Sequence, residues 1–363
     1  MSTDKTPILF TPFDTQNISF GNRIVMAPMT RSRAINNIPN DLMSEYYAQR
    51  ASAGLIITEG TSPSPNGLGY SRIPGIFSNV QIEGWKKITD AVHAKDSKIF
   101  IQLMHTGRVT HSDNLPDGAK IVAPSVINSG TEMWTDNAGV LPTETPEALS
   151  PEGVIDTIQE YVTAAKNAIT AGFDGIELHS ANGYLMEQFL NPKSNERTDE
   201  YGGSVENRAR FVLEVAKAVA DAIGKEKTGI RFSPYNTFNG MPDYDADEVF
   251  ETYEYLAKEI DKMGLLYVHL FSNAAKQAPR GAELISTIRA YFKGILIDNG
   301  GFTKDKAITA IESHEVDMVA FGTAFLANPD LPYRLQNGIY LTQPEESTFY
   351  SADEKGYTDY PFA

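Results

Sequence analysis

Eight short β-rich runs alternate with segments of helical period along the 363 residues, and this alternation leaves few architectures open. The runs are Arg23–Pro28, Gly54–Glu59, Lys98–Leu103, Gly175–His179, Gly229–Ser233, Leu265–Phe271, Gly294–Asp298 and Val316–Phe321. Uninterrupted apolar stretches such as Leu55-Ile56-Ile57 and Ile99-Phe100-Ile101 suit strands covered on both faces, as in parallel sheets. Three sets of apolar residues recur every three or four positions: Ile155, Ile158, Val162, Ala165, Ile169; Val212, Val215, Val219, Ile223; and Val249, Tyr253, Leu256, Ile260, Met263. Each predicts one apolar stripe on a helix. Ser150-Pro151 and Asn328-Pro329 read as helix starts, and Gly172, Gly224 and Gly264 as helix ends.

Parallel strands joined by helices close into a (β/α)8 TIM barrel or open into a doubly wound sheet. The count of eight favours the α/β barrel. The open sheet expects a glycine-rich turn after its first strand, where this chain has Met29-Thr30-Arg31-Ser32-Arg33. Ile8–Phe13 and Asn17–Phe20 predict a β-hairpin ahead of the barrel. With no break in composition, residues 1–363 read as one domain. Residues 108–150, after the third strand, form a long polar insertion of lid-like character around Trp134. The tail, residues 347–363, is rich in aromatics and is expected to pack on the body or a partner.

Composition removes several chemistries. With no cysteine, disulfides, thiolate nucleophiles, iron–sulfur clusters and Cys-ligated zinc are excluded. The net charge of −16, from 31 basic and 47 acidic residues, argues against nucleic acid or an anionic membrane as partner. Neither a signal peptide nor an apolar run of membrane-spanning length is visible, so a cytoplasmic enzyme is expected. Association into a homo-oligomer stays open.

Barrel enzymes carry their chemistry at the carboxyl ends of the strands. After the first strand come Pro28, Met29 and Thr30; Thr30 reads as a ligand to a planar ring or as a turn residue. Gly60 after the second would let a ring approach the backbone. Gln102 in the third would point inward, its amide matched to a pyrimidine-like edge or to backbone. The fourth ends in His179-Ser180-Ala181-Asn182-Gly183-Tyr184. His179 and Asn182, three apart, can offer two donors to one oxygen, and the Tyr184 phenol can give a proton. No metal site is expected, because this set lacks the usual ligands. Arg231 interrupts the apolar fifth strand and needs an anion or an electron-rich ring edge. Gly300 and Gly301 after the seventh strand, with Gly322 and Thr323 after the eighth, suit a phosphate cradle of backbone N–H groups. Together these residues ask for a flat heteroaromatic with a phosphate tail and a second molecule above it.

On these residues the chain resembles the Old Yellow Enzyme family of FMN-dependent ene-reductases, from about Leu9 onward. The motifs are Ala27-Pro28-Met29-Thr30-Arg31, Gln102-Leu103-Met104-His105-Thr106-Gly107-Arg108, His179 through Leu190, Asn195-Glu196-Arg197-Thr198-Asp199, Asn299-Gly300-Gly301-Phe302 and Ala327-Asn328-Pro329-Asp330-Leu331. The resemblance implies that NADPH or NADH reduces tightly bound FMN and that an electron-poor alkene then takes hydride from it. It implies that His179 and Asn182 hold the carbonyl or nitro oxygen through charge-assisted donors and that Tyr184 protonates the α-carbon. It places Thr30 at the flavin C4 carbonyl, Gln102 at the pyrimidine edge, Arg231 near N1, and Tyr70 and Tyr350 along the substrate cavity. Two departures stand out. Thr323 replaces an arginine that many relatives direct at the phosphate, which implies looser FMN binding or compensation by another basic residue. Met104 replaces a larger aromatic, which implies a more open pocket. Two alternatives compete: a lyase or aldolase acting on a phosphorylated substrate, and a flavin-binding protein without turnover. The first wants a Schiff-base lysine or metal carboxylates at the strand ends, and the second has no use for a proton donor.

Overall fold

A computed structural model describes residues 6–363, and in it the eight runs form a closed barrel of parallel strands. The strands are Ile24–Met26, Leu55–Thr61, Lys98–Leu103, Gly175–Ser180, Thr228–Phe232, Tyr267–Phe271, Ile295–Asn299 and Met318–Phe321. They neighbour one another in chain order, and the eighth returns to the first through Ala320 opposite Val25. The (β/α)8 fold expected from the sequence is the fold observed, with strand bounds moved by no more than a few residues. Met1 to Lys5 of the expected single domain lie outside the described residues.

Alternation along the strands sorts the side chains. Ile56, Ile99, Ile101, Ile176, Leu178, Ile230, Val268, Leu296 and Val319 pack against the surrounding helices. Val25, Leu55, Ile57, Phe100, Tyr267, Ile297 and Met318 fill the barrel's lower interior. Two large rings share that interior, Phe100 and Tyr267, with centroids 5.8 Å apart. They fit because two strand positions beside them carry no Cβ. One added at Gly175 would stand 2.4 Å from Phe100 Cε2, and one at Gly229 2.2 Å from Tyr267 Cζ.

The start and stop residues act as expected in the main helices. Ser150 caps Pro151–Thr170 by accepting from the Gly153 amide, and Gly264 closes Ala246–Met263 in the left-handed conformation. Three expectations need correction. Asn328-Pro329 does not start a helix. Asn328 instead accepts from Thr342 N and donates to the Ala324 and Thr342 carbonyls, and the next helix, Leu331–Asn337, follows Asp330. Ile155 is exposed, because Val154 takes the inward position on that helix. The expected hairpin shrinks to Phe13–Asp14 paired with Ser19–Phe20, since Ile8–Phe10 forms a 3-10 turn. No helix among the described residues is long and apolar enough to cross a membrane.

The insertion folds into short strands, including the antiparallel pair Glu132–Thr135 and Gly139–Pro142. The tail returns over the first strand–helix connection. Three buried arginines hold it there: Arg31 donates to the Phe349 and Gly356 carbonyls, Arg33 to those of Thr348, Phe349, Asp353 and Lys355, and Arg50 to that of Tyr357. Tyr357 is buried and stacks on Tyr46 at 4.0 Å between centroids, whereas Tyr350 and Phe362 stay exposed. The Tyr357 hydroxyl has no hydrogen-bond partner, so the ring rather than the phenol anchors the tail. Tyr357→Ala is expected to cost about 3–5 kcal/mol. Tyr357→Phe is expected to cost less than about 1 kcal/mol. Chemical denaturation of both variants checks this, and equal losses would contradict it.

Candidate functional site

At the carboxyl ends of the strands the barrel opens into a cavity of about 1150 Å³. That exceeds the common range for a single small-molecule pocket and suits two stacked ligands. Its wall includes Pro28, Met29, Thr30, Gly60, Tyr70, Gln102, Met104, His179, Asn182, Tyr184, Arg231, Gly322, Thr323 and Tyr350. Twelve of the expected site residues thus meet from six different strand ends, the tail brings Tyr350, and the connection after the second strand brings Tyr70. Gly300 and Gly301 are the exceptions: Asn299 forms the wall there, and the two glycines sit just beyond it.

The floor is polar. Arg231 is buried, its Nε has no hydrogen-bond partner, and its guanidinium stands 5.4 Å from the centroid of the Phe271 ring. Burial lowers its pKa, while the Glu177 carboxylate opposes that effect. A buried guanidinium that leaves a donor unused calls for an electron-rich ligand beside it. Gln102 points inward as expected and donates from Nε2 to Glu177 Oε1 at 2.8 Å. Its Oε1 is thereby left to accept from a ligand. Gly60 lies in the cavity wall and also packs against a neighbouring side chain. Its missing Cβ makes room for the Met104 thioether, whose sulfur would lie 2.5 Å from a Cβ placed there. Met104 is buried among Leu68, Ile73, Val109, Met133 and Tyr184.

The turn after the fourth strand is held in a conformation that side chains seldom adopt. Asn182 and Gly183 have φ of 57° and 78°. The Asn182 amide donates to Ser233 Oγ at 2.7 Å and that of Gly183 to Glu187 Oε2 at 2.5 Å. Asn236 Nδ2 donates to Asn182 Oδ1 at 3.4 Å, which turns the Asn182 amide nitrogen toward other acceptors. His179 is buried edge-on to Tyr184, 4.9 Å between ring centroids, and its Nδ1 has no partner. Burial first, then Arg231 and His269, hold the His179 pKa well below the usual histidine value. The ring is therefore neutral near pH 7, and the charge-assisted donor implied by the resemblance becomes an ordinary N–H donor. The Tyr184 hydroxyl lies 2.9 Å from that of Tyr70, and burial raises its pKa above the usual phenol value, so it keeps its proton.

Other residues of the site carried no sequence signal that was used. Glu187 lies below the turn and also accepts from Ser233 Oγ and Tyr253 Oη at 2.8 and 2.9 Å. Its place four residues after Gly183, on the helix Leu185–Leu190, was a usable clue. Thr131, Glu132, Met133 and Trp134 bring the insertion to the cavity wall, Phe271 the end of the sixth strand, and Asn239 the connection after the fifth. Arg72 ties these parts together. It pairs with Asp136 of the insertion, and donates to the Ser32 carbonyl and to the Tyr350 carbonyl of the tail. Beside Gly300 stands Lys276, whose ammonium donates to Asp298 Oδ2 at 3.1 Å and to the Gly300 carbonyl at 3.2 Å.

A barrel with a cavity for stacked ligands, a buried cation and amide at its floor, and glycine loops at one side defines a flavin-dependent oxidoreductase. The sequence matches the NADH:flavin oxidoreductase / NADH oxidase family over residues 8–342, and the chain belongs to that family. It is 44% identical over 369 residues to a chanoclavine-I aldehyde reductase of Penicillium roqueforti, covering 98% of this chain and 96% of the relative. It is 41% identical over 346 residues to a probable flavin mononucleotide-dependent alkene reductase of Leishmania infantum, covering 94% and 93%. Among solved structures, morphinone reductase superposes with a TM-score of 0.93 at 44% identity, covering 100% of this chain and 98% of that one. Morphinone reductase has also been solved in complex with tetrahydroNAD. FMN is the cofactor and a nicotinamide is the hydride donor of this enzyme.

Burial raises the Glu187 pKa from 4.5 to about 7, so in the folded chain it keeps a proton that the unfolded chain has already lost. Its contribution to stability, on the order of 3 kcal/mol, is full at low pH and is lost as pH rises through the folded value. Urea unfolding of the wild type and Glu187→Gln across that range is expected to show the wild type losing stability relative to the variant. A difference that does not change with pH would contradict the assignment.

Proposed function

We propose that this enzyme reduces the activated C=C bond of α,β-unsaturated carbonyl or nitro compounds, with both hydride transfers at one site. The meeting of His179, Asn182 and Tyr184 above Gln102 and Arg231 in one cavity carries this reading. Bound FMN would supply the hydride chemistry, with NADPH or NADH as the donor and the β-carbon of the alkene as the acceptor. The residues bind, orient and protonate. Gln102 would present an acceptor to the ring N3–H, and Arg231 a cation to the N1 side where negative charge gathers on reduction. Thr30, beside Pro28 and Met29, would hold the C4 carbonyl. His179 and Asn182 donate to the substrate oxygen and draw electrons from the double bond. Tyr184 gives its proton to the α-carbon, and Tyr70, hydrogen-bonded to it, keeps the phenol aimed. Tyr70, Met104 and Tyr350 shape the substrate pocket.

A phosphate would sit against the backbone N–H groups of Gly300, Gly301, Gly322 and Thr323. Thr323 brings no charge there. Lys276, whose ammonium would stand 2.1 Å from a Cβ on Gly300, is the basic residue assigned to offset that loss. The whole chain is read as one barrel domain in which residues 108–150 serve as a lid and residues 347–363 as a clamp on its rim. Its partners are small electron-poor alkenes and a nicotinamide, not nucleic acid or a membrane. Its compartment is the cytoplasm, where such donors are abundant.

Two tests follow from these assignments. Tyr184→Phe is expected to slow reoxidation by 2-cyclohexenone roughly 10²-fold and to leave reduction by NADPH unchanged, as read by stopped-flow absorbance. Equal loss in both half-reactions would contradict the role of Tyr184. Lys276→Met is expected to weaken FMN binding roughly tenfold, the loss of one charge-assisted contact, and to reduce its salt dependence. An unchanged dissociation constant, measured by fluorescence of released FMN, would remove Lys276 from the phosphate site.

A further inference from the structure

Glu177 lies at the centre of the barrel, one layer below the substrate-binding turn, and none of the roles above uses it. Its strand register places it opposite Gln102 on one side and Gly229 on the other. His179, two residues on, is level with Arg231 and His269. The carboxylate is fully buried, and both of its oxygens are engaged: Oε1 accepts from Gln102 Nε2 and Oε2 meets His269 Nδ1, each at 2.8 Å. Burial works to raise its pKa, but His269, Arg231 and Gln102 outweigh burial and bring it below the usual carboxylate value. His269 is held neutral chiefly by burial, its pKa lowered despite the carboxylate beside it. The charges that remain on the floor are therefore the Arg231 cation and the Glu177 anion. His179, Tyr184 and Tyr267 also lie close by, the histidine with its pKa held well below the usual value and both phenols with theirs raised, and the Asp298 carboxylate acts on His269 from the neighbouring strand.

We infer that Glu177 is a positioning residue that orients the flavin-reading amide and sets the electron affinity of the site. Two consequences follow from its geometry. By taking one Gln102 N–H, it leaves Gln102 Oε1 as the acceptor that faces the ring edge, so the site selects a ring that carries N–H there. By standing near Arg231, it partly cancels the positive field felt by the ring, and this limits how strongly the reduced, more negative flavin is favoured. The inference rests on the FMN-binding reading given above.

The test compares the FMN-loaded wild type with Glu177→Gln and Glu177→Asp in spectroelectrochemical titrations. Glu177→Gln removes the charge but keeps the size, and it is expected to shift the ratio of oxidised to reduced FMN affinity roughly tenfold toward the reduced form. This is a rise in midpoint potential of about 30 mV for a two-electron couple. Glu177→Asp keeps the charge and is expected to leave the potential near the wild-type value. A role confined to structure would lower the melting temperature without raising the potential, and an unmoved or lowered potential in Glu177→Gln overturns the inference. The unaltered apoprotein gives a second test that does not depend on either variant folding. It is expected to bind 3-methyl-FMN, which has no N3–H, at least tenfold more weakly than FMN. Equal binding overturns the assigned orientation of Gln102. A protein that takes up no FMN at all would instead remove the cofactor reading itself.

Discussion

A closed barrel of parallel strands has no edges, so an inward-facing polar side chain near its centre must find its partners inside the barrel or in a bound ligand. This constraint governs the site. Gln102, Glu177, Arg231 and His269 all point into the same interior. Three of them settle their polarity through the Glu177 carboxylate, directly or through its field. Arg231 Nε and His269 Nε2 are left without a hydrogen-bond partner, and Arg231 and Gln102 line the cavity. Burying such groups without partners is costly. The floor is thus built for a ring whose edge carries both an acceptor and a donor.

The upper part of the site depends on a second set of buried partners. Ser233, Glu187 and Tyr253 hold the turn at Asn182 and Gly183 in its left-handed conformation. That turn carries the residues assigned to substrate oxygen and proton transfer, so its rigidity sets their aim. The insertion and the tail both contribute to the cavity wall. Arg72 joins them, and the buried Arg31, Arg33 and Arg50 fasten the tail to the body through its own carbonyls.

Much of this was legible in the sequence because strands and site motifs leave local signals. Period and count were enough for the barrel. His179, Asn182 and Tyr184 were legible because they share one strand end. Gln102 and Arg231 stood out because each is polar within an apolar run. Glu177 is equally polar within its run but drew no notice beside His179, since its partners Gln102 and His269 lie on other strands. Lys276 is hidden for the same reason, since Asp298 lies on another strand, whereas Glu187 has one local partner, the Gly183 amide, and two remote ones, Ser233 and Tyr253. The protonation state of His179 was misread because burial, which the sequence does not display, decides it. Asn328-Pro329 resembled a helix start, but tertiary contacts with Thr342 took the asparagine side chain elsewhere.

The central claim is that one cavity serves both a nicotinamide and an electron-poor alkene through the same flavin. The visible spectrum of the pure protein under anaerobic conditions tests it most directly, with NADPH added first and 2-cyclohexenone second. The expected result is a yellow protein that bleaches with the first addition and regains its colour with the second. A colourless protein, or a bleached one that the enone leaves bleached, would contradict the account.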